Sequence, residues 1–167
     1  MSPLVDFYRG VATDSEGRLL SEILAWDDRT LENVHDFIQW VFPLPEPSRF
    51  NRAAPLLTAD DIAAFKTDAV LQANVKKAFE RILKFLGLAE TTDGAIVEGN
   101  AFASRAGEIW SEPNHNWLRI TRILRSLTLL GFRDQAKELH IWIAEQHRRR
   151  RFPFTSETFR YWSSTVK

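Results

Sequence analysis

The chain of 167 residues has the length of one ordinary domain, and its apolar fraction of 44% and charged fraction of 26% are typical of a globular protein. It contains no cysteine, which excludes disulfides, thiolate nucleophiles and cysteine-ligated metal sites. It has neither an apolar run long enough to span a membrane nor the features of a signal peptide at its start. We therefore expect a single domain over residues 1–167, without a transmembrane segment and located in the cytoplasm.

The charges are distributed unevenly, although their formal sum is zero. Residues 1–112 hold 11 Lys and Arg against 18 Asp and Glu, a net charge of −7, whereas residues 113–167 hold 11 against 4, a net charge of +7. Two interpretations are open at this point. The two parts pack with complementary charge, or the carboxyl-terminal part presents a basic face to an anionic partner.

The first part of the chain predicts two helices and a loop. After an irregular start at residues 7–10, residues 18–26 carry apolar side chains at helical spacing. Asp28 can cap a second helix that ends near Phe42, because its apolar residues recur at steps of three and four: Leu31, Val34, Ile38 and Val41. Prolines 43, 45 and 47 disfavour helical geometry, so residues 43–55 are expected to form a loop.

The middle of the chain predicts two further helices and a long loop. Thr58 followed by Asp61 resembles a capping box at the start of a short helix. Residues 68–86 keep a helical period throughout, and Gly87 is placed to end that helix. Residues 88–113 show no sustained period and no strand pattern, so we expect a long loop that includes one helical turn.

Three helices are predicted toward the carboxyl end. The first begins at His115 behind a capping asparagine and ends at Gly131, the second runs over residues 134–147, and the last begins at Thr155 or Ser156. Together the elements predict an all-α fold, a single irregular or orthogonal bundle of about six or seven helices.

Two segments place polar side chains beside large aromatic ones inside helices that must otherwise be buried, at residues 35–44 and 114–124. On a helix, the first segment would bring His35 and Gln39 to the same side, one turn apart. Residues of these types also cap helices and connect loops to cores, so a structural role is the alternative interpretation. The candidate ligand-binding residues are His35, Gln39, Trp40, Asn114, His115, Asn116, Arg119 and Arg122.

These segments are also where the chain resembles a known family. The run Phe7-Tyr8-Arg9, residues 35–47, Pro55-Leu56, residues 62–65 and residues 114–127 followed by Gly131 are similar, in order, to the signatures of the opioid growth factor receptor conserved domain. The resemblance spans most of residues 7–131. Animal members of this family are described as perinuclear receptors for an enkephalin pentapeptide that restrains cell growth, so the resemblance implies a binding role. It implies no particular binding residues.

Our main hypothesis is a non-enzymatic module that binds a peptide or protein segment. The first alternative is a small hydrolase or metal-assisted enzyme in which His35 or His115 acts with Asp36. Against it, the chain has no Gly-x-Ser-x-Gly motif, no phosphate-binding glycine loop and no histidine–carboxylate spacing typical of a metal site. We accordingly predict no cofactor, no metal and no catalytic residue.

The second alternative is an anion-binding helical domain. Arg148, Arg149, Arg150 and Arg151 form the strongest charge run and, together with other arginines of the same region, would bind nucleic acid or an acidic membrane. A solvated helix end explains the same run, because cations stabilise the negative end of a helix dipole.

Overall fold

A computed structural model describes residues 2–167, and within this range ten helices and one two-stranded antiparallel hairpin occur. The chain is mostly helical, which confirms the predicted all-α class, but the expected number of six or seven helices was too low. The fold divides into two compact units, unit 1 (residues 1–81) and unit 2 (residues 82–167). The expectation of one domain over residues 1–167 stays a prediction. Within residues 2–167, no helix is both long and apolar enough to cross a membrane.

Unit 1 consists of five short helices and most of a long sixth one. In chain order these are α1 (Pro3–Arg9), α2 (Leu20–Leu24), α3 (Asp28–Asn33), α4 (Ile38–Val41), α5 (Ala59–Thr67) and α6 (Ala69–Phe85), the last of which continues past residue 81. The predicted short helix at residues 18–26, the loop after Phe42 and the long helix at residues 68–86 are confirmed. The capping box is confirmed too, since Thr58 and Asp61 exchange side-chain to backbone hydrogen bonds of 3.0 and 3.1 Å.

Helix α1 shows that the expected irregular start was wrong. Ser2 caps α1 by accepting a hydrogen bond from the Val5 amide, and Pro3 occupies the first turn, where its missing N–H is not needed. Gly10 ends the helix with a φ of 78°, a conformation that glycine adopts without strain. The start and stop signals were therefore in the sequence, but seven residues are too few for a helical period to stand out.

The predicted helix over residues 28–42 is in fact two helices. Asp27, not Asp28, caps α3 by accepting from the Thr30 amide at 2.8 Å. Val34 ends α3 in an extended conformation, and α4 begins at Ile38. Residues 34–37, which we call the α3–α4 break, are therefore not helical.

The core of unit 1 is aromatic. Tyr8 of α1 lies edge-on to Phe65 of α5 at 5.0 Å, and Phe7 lies edge-on to Trp40 of α4 at 5.3 Å. The buried Tyr8 hydroxyl donates to the Val41 carbonyl, and burial raises the pKa of this phenol far above its ordinary value. These contacts join α1, α4 and α5 and fix the position of Trp40.

Unit 2 contains the end of α6 and the remaining elements. These are β1 (Leu88–Glu90), β2 (Ile96–Glu98), α7 (Phe102–Ile109), α8 (His115–Leu129), α9 (Arg133–Arg148) and α10 (Ser156–Thr165). The predicted starts of α8 at Asn114 and of α10 at Thr155 are confirmed, and so is α9. Helices α8, α9 and α10 pack against one another, and the hairpin packs on α9.

The expectation of a long loop at residues 88–113 was wrong, because this segment forms the β1–β2 hairpin and α7. The strands pair Leu88 with Glu98 in antiparallel register, but three residues per strand are too few to display an alternating pattern. Gly87 allows the hairpin and α7 to meet, since a Cβ at this position would lie 3.0 Å from the Phe102 Cα. Its φ of 80° also favours glycine.

Candidate functional site

The first candidate segment lies in the α3–α4 break and α4. His35 is exposed in the break, whereas Gln39 and Trp40 in α4 retain 4% and 6% of their accessible surface. The Gln39 amide donates to the backbone carbonyl of His35 at 3.3 Å. The expected helical pairing of the His35 and Gln39 side chains does not occur, because residues 34–37 are not helical; Gln39 contacts the His35 backbone instead.

An arginine holds the break in place. Arg18 forms ion pairs with the buried Asp14 at 2.7 Å and with Asp36 of the break at 2.9 Å, and its guanidinium lies 5.3 Å from the centre of the Trp26 ring. Burial lowers the pKa of Arg18, but hydrogen bonds to the two carboxylates outweigh this effect and raise that pKa above its ordinary value. The Asp36 carboxylate is consequently engaged as an anchor of the break.

The indole of Trp40 is the most unusual group in this segment. Its Nε1–H is buried and has no hydrogen-bond acceptor among residues 2–167. Leaving such a donor unpaired costs about 1–3 kcal/mol, so native proteins rarely do so without a reason. A ligand that supplies a carbonyl or carboxylate oxygen would remove this cost.

The loop after α4 extends the same region. The Asn51 side chain donates to the Asp36 carbonyl at 3.1 Å and to the Gln39 side-chain oxygen at 3.5 Å. These two hydrogen bonds place the loop beside the break. The side chains of Phe50 and Leu56 are nevertheless 76% and 44% exposed. Phe50 is not among the contact residues that the sequence predicts. A large aromatic residue within a proline-bounded loop was the signal that could have identified it.

The second candidate segment opens α8 in unit 2. Asn114 caps the helix by accepting from the Asn116 amide at 2.9 Å, and its side-chain nitrogen donates to the carbonyls of Ile109 and Glu112 at 3.0 and 2.7 Å. All polar atoms of the Asn114 side chain are thus used to join the end of α7 to the start of α8. This geometry supports the structural interpretation of Asn114.

The other polar residues of α8 differ in exposure. His115 is exposed, Arg122 is partly buried, and Asn116 and Arg119 are buried. The Arg119 guanidinium donates to the Asn116 side-chain oxygen at 3.4 Å and lies 5.9 Å from the centre of the Phe85 ring. The structure therefore brings Asn116 and Arg119 together inside unit 2.

Neither catalytic nor metal chemistry gains support from these residues. Residues 2–167 contain no group of three or more His, Asp or Glu side chains able to hold a metal ion. His35 and Asp36 are consecutive in the α3–α4 break, and Asp36 already pairs with Arg18. The hydrolase or metal-assisted alternative is left without an observation that favours it.

A serine–histidine contact was missed by sequence reasoning. His140 Nε2 lies 2.9 Å from the Ser163 hydroxyl, but that hydroxyl donates to the Phe159 carbonyl within α10. The imidazole also stacks on the Phe159 ring, and burial lowers the pKa of His140. Since the hydroxyl is engaged by its own helix, we interpret the pair as a packing contact between α9 and α10.

The arginine run at the end of α9 makes ion pairs within unit 2. Arg148 and Arg149 both contact Glu145, at distances of 2.7 Å, and Arg151 pairs with Glu98 of β2. The hydrogen bond from Arg148, followed by that from Arg149, lowers the pKa of Glu145 to about 2. These carboxylates reduce the positive charge that the run offers to a phosphate. Anion binding by residues 148–151 stays a prediction.

Comparison with known proteins places the chain in a family. The model of the opioid growth factor receptor (OGFr) conserved region matches residues 5–167. Opioid growth factor receptor of Rattus norvegicus is 38% identical over 133 residues, which cover 76% of this chain and 23% of that protein. The Homo sapiens receptor is 34% identical over 160 residues, covering 91% and 23%. Opioid growth factor receptor-like protein 1 of Mus musculus is 34% identical over 137 residues, covering 75% and 28%.

The chain thus spans about a quarter of the length of these relatives. No solved structure matches it. The resemblance seen in the sequence is confirmed by the family match, which extends it to the carboxyl-terminal helices. The chain belongs to the opioid growth factor receptor conserved-region family.

Proposed function

We propose that the chain is a non-enzymatic binding module for a peptide or protein segment, and that unit 1 holds the principal contact residues. The observation that carries the proposal is the buried Trp40 Nε1–H without an acceptor. Peptides are rich in carbonyl oxygens, so an extended or turned peptide supplies the acceptor that residues 2–167 do not. His35 is exposed, and Gln39, which precedes Trp40, is hydrogen-bonded to the His35 carbonyl and to Asn51.

Family membership supports a ligand-binding role. Relatives with 34–38% identity bear the name opioid growth factor receptor, and a receptor binds a ligand. The candidate residues of α8, from Asn114 to Arg122, belong to the proposal as a second group of contacts. Asn114 is the weakest member, because its polar atoms are all engaged. A cytoplasmic location is part of the same proposal, since a chain without cysteine has no disulfides to keep oxidised.

The test uses calorimetry on the full chain with two probes, an enkephalin pentapeptide and peptides selected on the chain from a random display library. The informative variant is Trp40→Phe, which keeps an aromatic ring in the core and removes the N–H. We expect affinity for the bound peptide to fall about 5- to 10-fold, the effect of one hydrogen bond of about 1 kcal/mol. Trp110→Phe, which removes an indole N–H that is paired within unit 2, is the matched control.

Two outcomes would contradict the proposal. The first is that neither the pentapeptide nor any selected peptide binds the folded wild-type chain. The second is that the Trp40→Phe variant, and variants at His35 and Gln39, bind a selected peptide as tightly as the wild type does. Circular dichroism and urea unfolding of each variant ensure that lost binding is not lost folding.

A further inference from the structure

The loop between α4 and α5 carries two cations around an exposed aromatic ring. Arg49, Phe50 and Arg52 are all exposed, and Phe50 retains 76% of its accessible surface. Neither arginine pairs with a carboxylate of residues 2–167. At least seven other arginines have such a partner, as Arg9 has in Asp68 and Arg81 has in Asp28. The two loop arginines thus present their charge to solvent.

The loop has a defined shape, so the exposure of Phe50 does not come from a frayed segment. The Leu57 amide donates to the Leu44 carbonyl at 3.0 Å, which closes the base of the loop. Asn51 ties its middle to Asp36 and Gln39, and the Phe50 amide donates to the Ser48 hydroxyl at 3.2 Å. Phe50 is thus an exposed aromatic side chain on a hydrogen-bonded loop, and binding residues are often placed on loops.

The charge distribution of unit 1 favours an acidic partner at this loop. Residues 2–81 hold 9 Lys and Arg against 13 Asp and Glu, a net charge of −4, whereas residues 48–58 contain Arg49 and Arg52 and no acidic residue. An acidic partner is therefore repelled by most of unit 1 and attracted to this loop. Complementarity of this kind fixes where a partner docks more than how tightly it binds.

We propose that residues 49–56, called the Phe50 loop, are the docking surface for an acidic peptide segment that carries an aliphatic or aromatic side chain. Carboxylates of the segment pair with Arg49 and Arg52, and its apolar side chain packs on Phe50 and Leu56. The proposal rests on the proposed function and names the chemical class of the ligand. A polyanion such as nucleic acid is less well suited, since the acidic remainder of unit 1 repels its extended phosphate chain.

The experiment selects binders from a display library of random peptides of about twelve residues, long enough to span a strand or three helical turns. Fluorescence anisotropy of a labelled selected peptide is then measured with the full chain. We expect the enriched sequences to combine Asp or Glu with a Leu, Ile or Phe. Phe50→Ala and the double variant Arg49→Glu, Arg52→Glu should each weaken binding at least about tenfold. The effect of charge reversal should shrink as salt is added.

Matched controls change exposed residues of the same types elsewhere in unit 1. Arg29→Glu reverses an exposed arginine, and Val11→Ala shortens an apolar side chain that is 75% exposed. Neither variant should change the anisotropy titration by more than about twofold. All five side chains changed in the Phe50 loop and control variants are exposed, so these variants are expected to fold, and circular dichroism checks this.

Three results would overturn the inference. The first is that the enriched peptides contain no acidic residues. The second is that the double variant Arg49→Glu, Arg52→Glu binds the selected peptide as tightly as the wild type does. Stronger loop-dependent binding of phosphatidylserine vesicles or of a single-stranded DNA oligonucleotide would replace the acidic peptide by another partner. If the selected peptides depend on Trp40 but not on the Phe50 loop, the proposed function stands and this inference fails. If they depend on the loop but not on Trp40, His35 or Gln39, the contact residues of the proposed function fail instead.

Discussion

The buried indoles of unit 1 and unit 2 differ in what their N–H groups contact. In unit 2, Trp110 donates to the Leu86 carbonyl at 2.9 Å, Trp117 to the Ile109 carbonyl at 2.8 Å and Trp162 to the Trp117 carbonyl at 3.2 Å. In unit 1, the N–H of Trp40 is equally buried and has no acceptor within residues 2–167. Burial alone therefore does not distinguish Trp40 from these three tryptophans, whereas the hydrogen bonding of the indole N–H does.

Asn114 of unit 2 and the α3–α4 break of unit 1 also differ in how their polar side chains are engaged. Asn114 of unit 2 uses every polar atom of its side chain to join α7 to α8. In unit 1, the α3–α4 break is held by Arg18 and Asn51, residues outside it, which leaves the His35 side chain exposed. The Asn114 side chain is thus fully used within the fold, whereas the Trp40 N–H is not, and the proposed function assigns that donor to a ligand.

The largest expected effect is on the unit 2 core. Trp162 is fully buried, packs edge-on against Trp117 and Phe154, and donates a hydrogen bond. Trp162→Ala should lower the free energy of unfolding by about 3–5 kcal/mol, measured by urea denaturation. The neighbouring Tyr161 is 59% exposed, so Tyr161→Ala should change it by less than about 0.5 kcal/mol. Similar losses for both variants would show that α10 does not pack as described.

A smaller loss of stability is expected at the α8 cap. Asn114→Ala removes the capping oxygen and both side-chain donations and should cost about 1–2 kcal/mol in the same urea measurement. Asn114→Ser keeps an oxygen that can cap the helix and should recover part of the loss. If the alanine variant is as stable as the wild type but no longer binds a selected peptide, Asn114 is a contact residue and the proposed contrast between the units breaks down.

Replacing Asn51 should change the mobility of the loop more than the stability of the fold. Asn51→Ala releases the loop from the α3–α4 break and is expected to cost only about 0.5–1 kcal/mol, because its hydrogen bonds are long and partly exposed. Amide hydrogen exchange of residues 44–57 should become faster while that of α8 stays unchanged. Equal exchange in the variant and the wild type would show that Asn51 does not order the loop.

The smallest effect concerns pH and the contact between α9 and α10. Burial lowers the pKa of His140 below the value in the unfolded chain, so the folded state favours the neutral imidazole. The contribution of His140 to the free energy of unfolding is thus fully present above about pH 6.5 and decreases as the pH falls below that value. Relative to His140→Gln, the wild type should lose stability between pH 7.5 and pH 5.5 in urea unfolding. A parallel pH dependence of the two proteins would contradict the assignment.

The helix starts that the sequence predicted correctly depend on local contacts. Thr58 with Asp61, Asn114 and Thr155 each bond to backbone groups two or three residues away, so a short window of sequence contains all the partners. The α3–α4 break was not predictable in this way. The apolar period continues through Val34, and the contacts that hold the break come from Arg18 and Asn51, which lie 18 and 15 residues from Asp36 in the chain.

For the candidate residues, too, contacts with distant parts of the chain could not be predicted from the sequence. Their types were sufficient to select Gln39, Trp40 and Asn114, because polar and aromatic side chains in an apolar helix are unusual in any fold. Whether each one is satisfied depends on which other segments reach it. The acceptors of Asn114 are close in sequence, whereas the absence of an acceptor at Trp40 depends on the packing of α1 against α4. No pattern in the sequence reports such an absence.

The most direct test compares Trp40→Phe with Trp110→Phe by urea unfolding, each without and with a saturating selected peptide. Removing the satisfied N–H of Trp110 should cost about 1–3 kcal/mol under both conditions. Both variants leave a smaller ring in the core, but Trp40→Phe removes no satisfied hydrogen bond, so it should cost about 1–3 kcal/mol less than Trp110→Phe in the peptide-free chain. It should also reduce the additional stability that the peptide confers. If Trp40→Phe destabilises the free chain as much as Trp110→Phe does, or if the peptide stabilises it as fully as the wild type, the Trp40 donor is not reserved for a ligand.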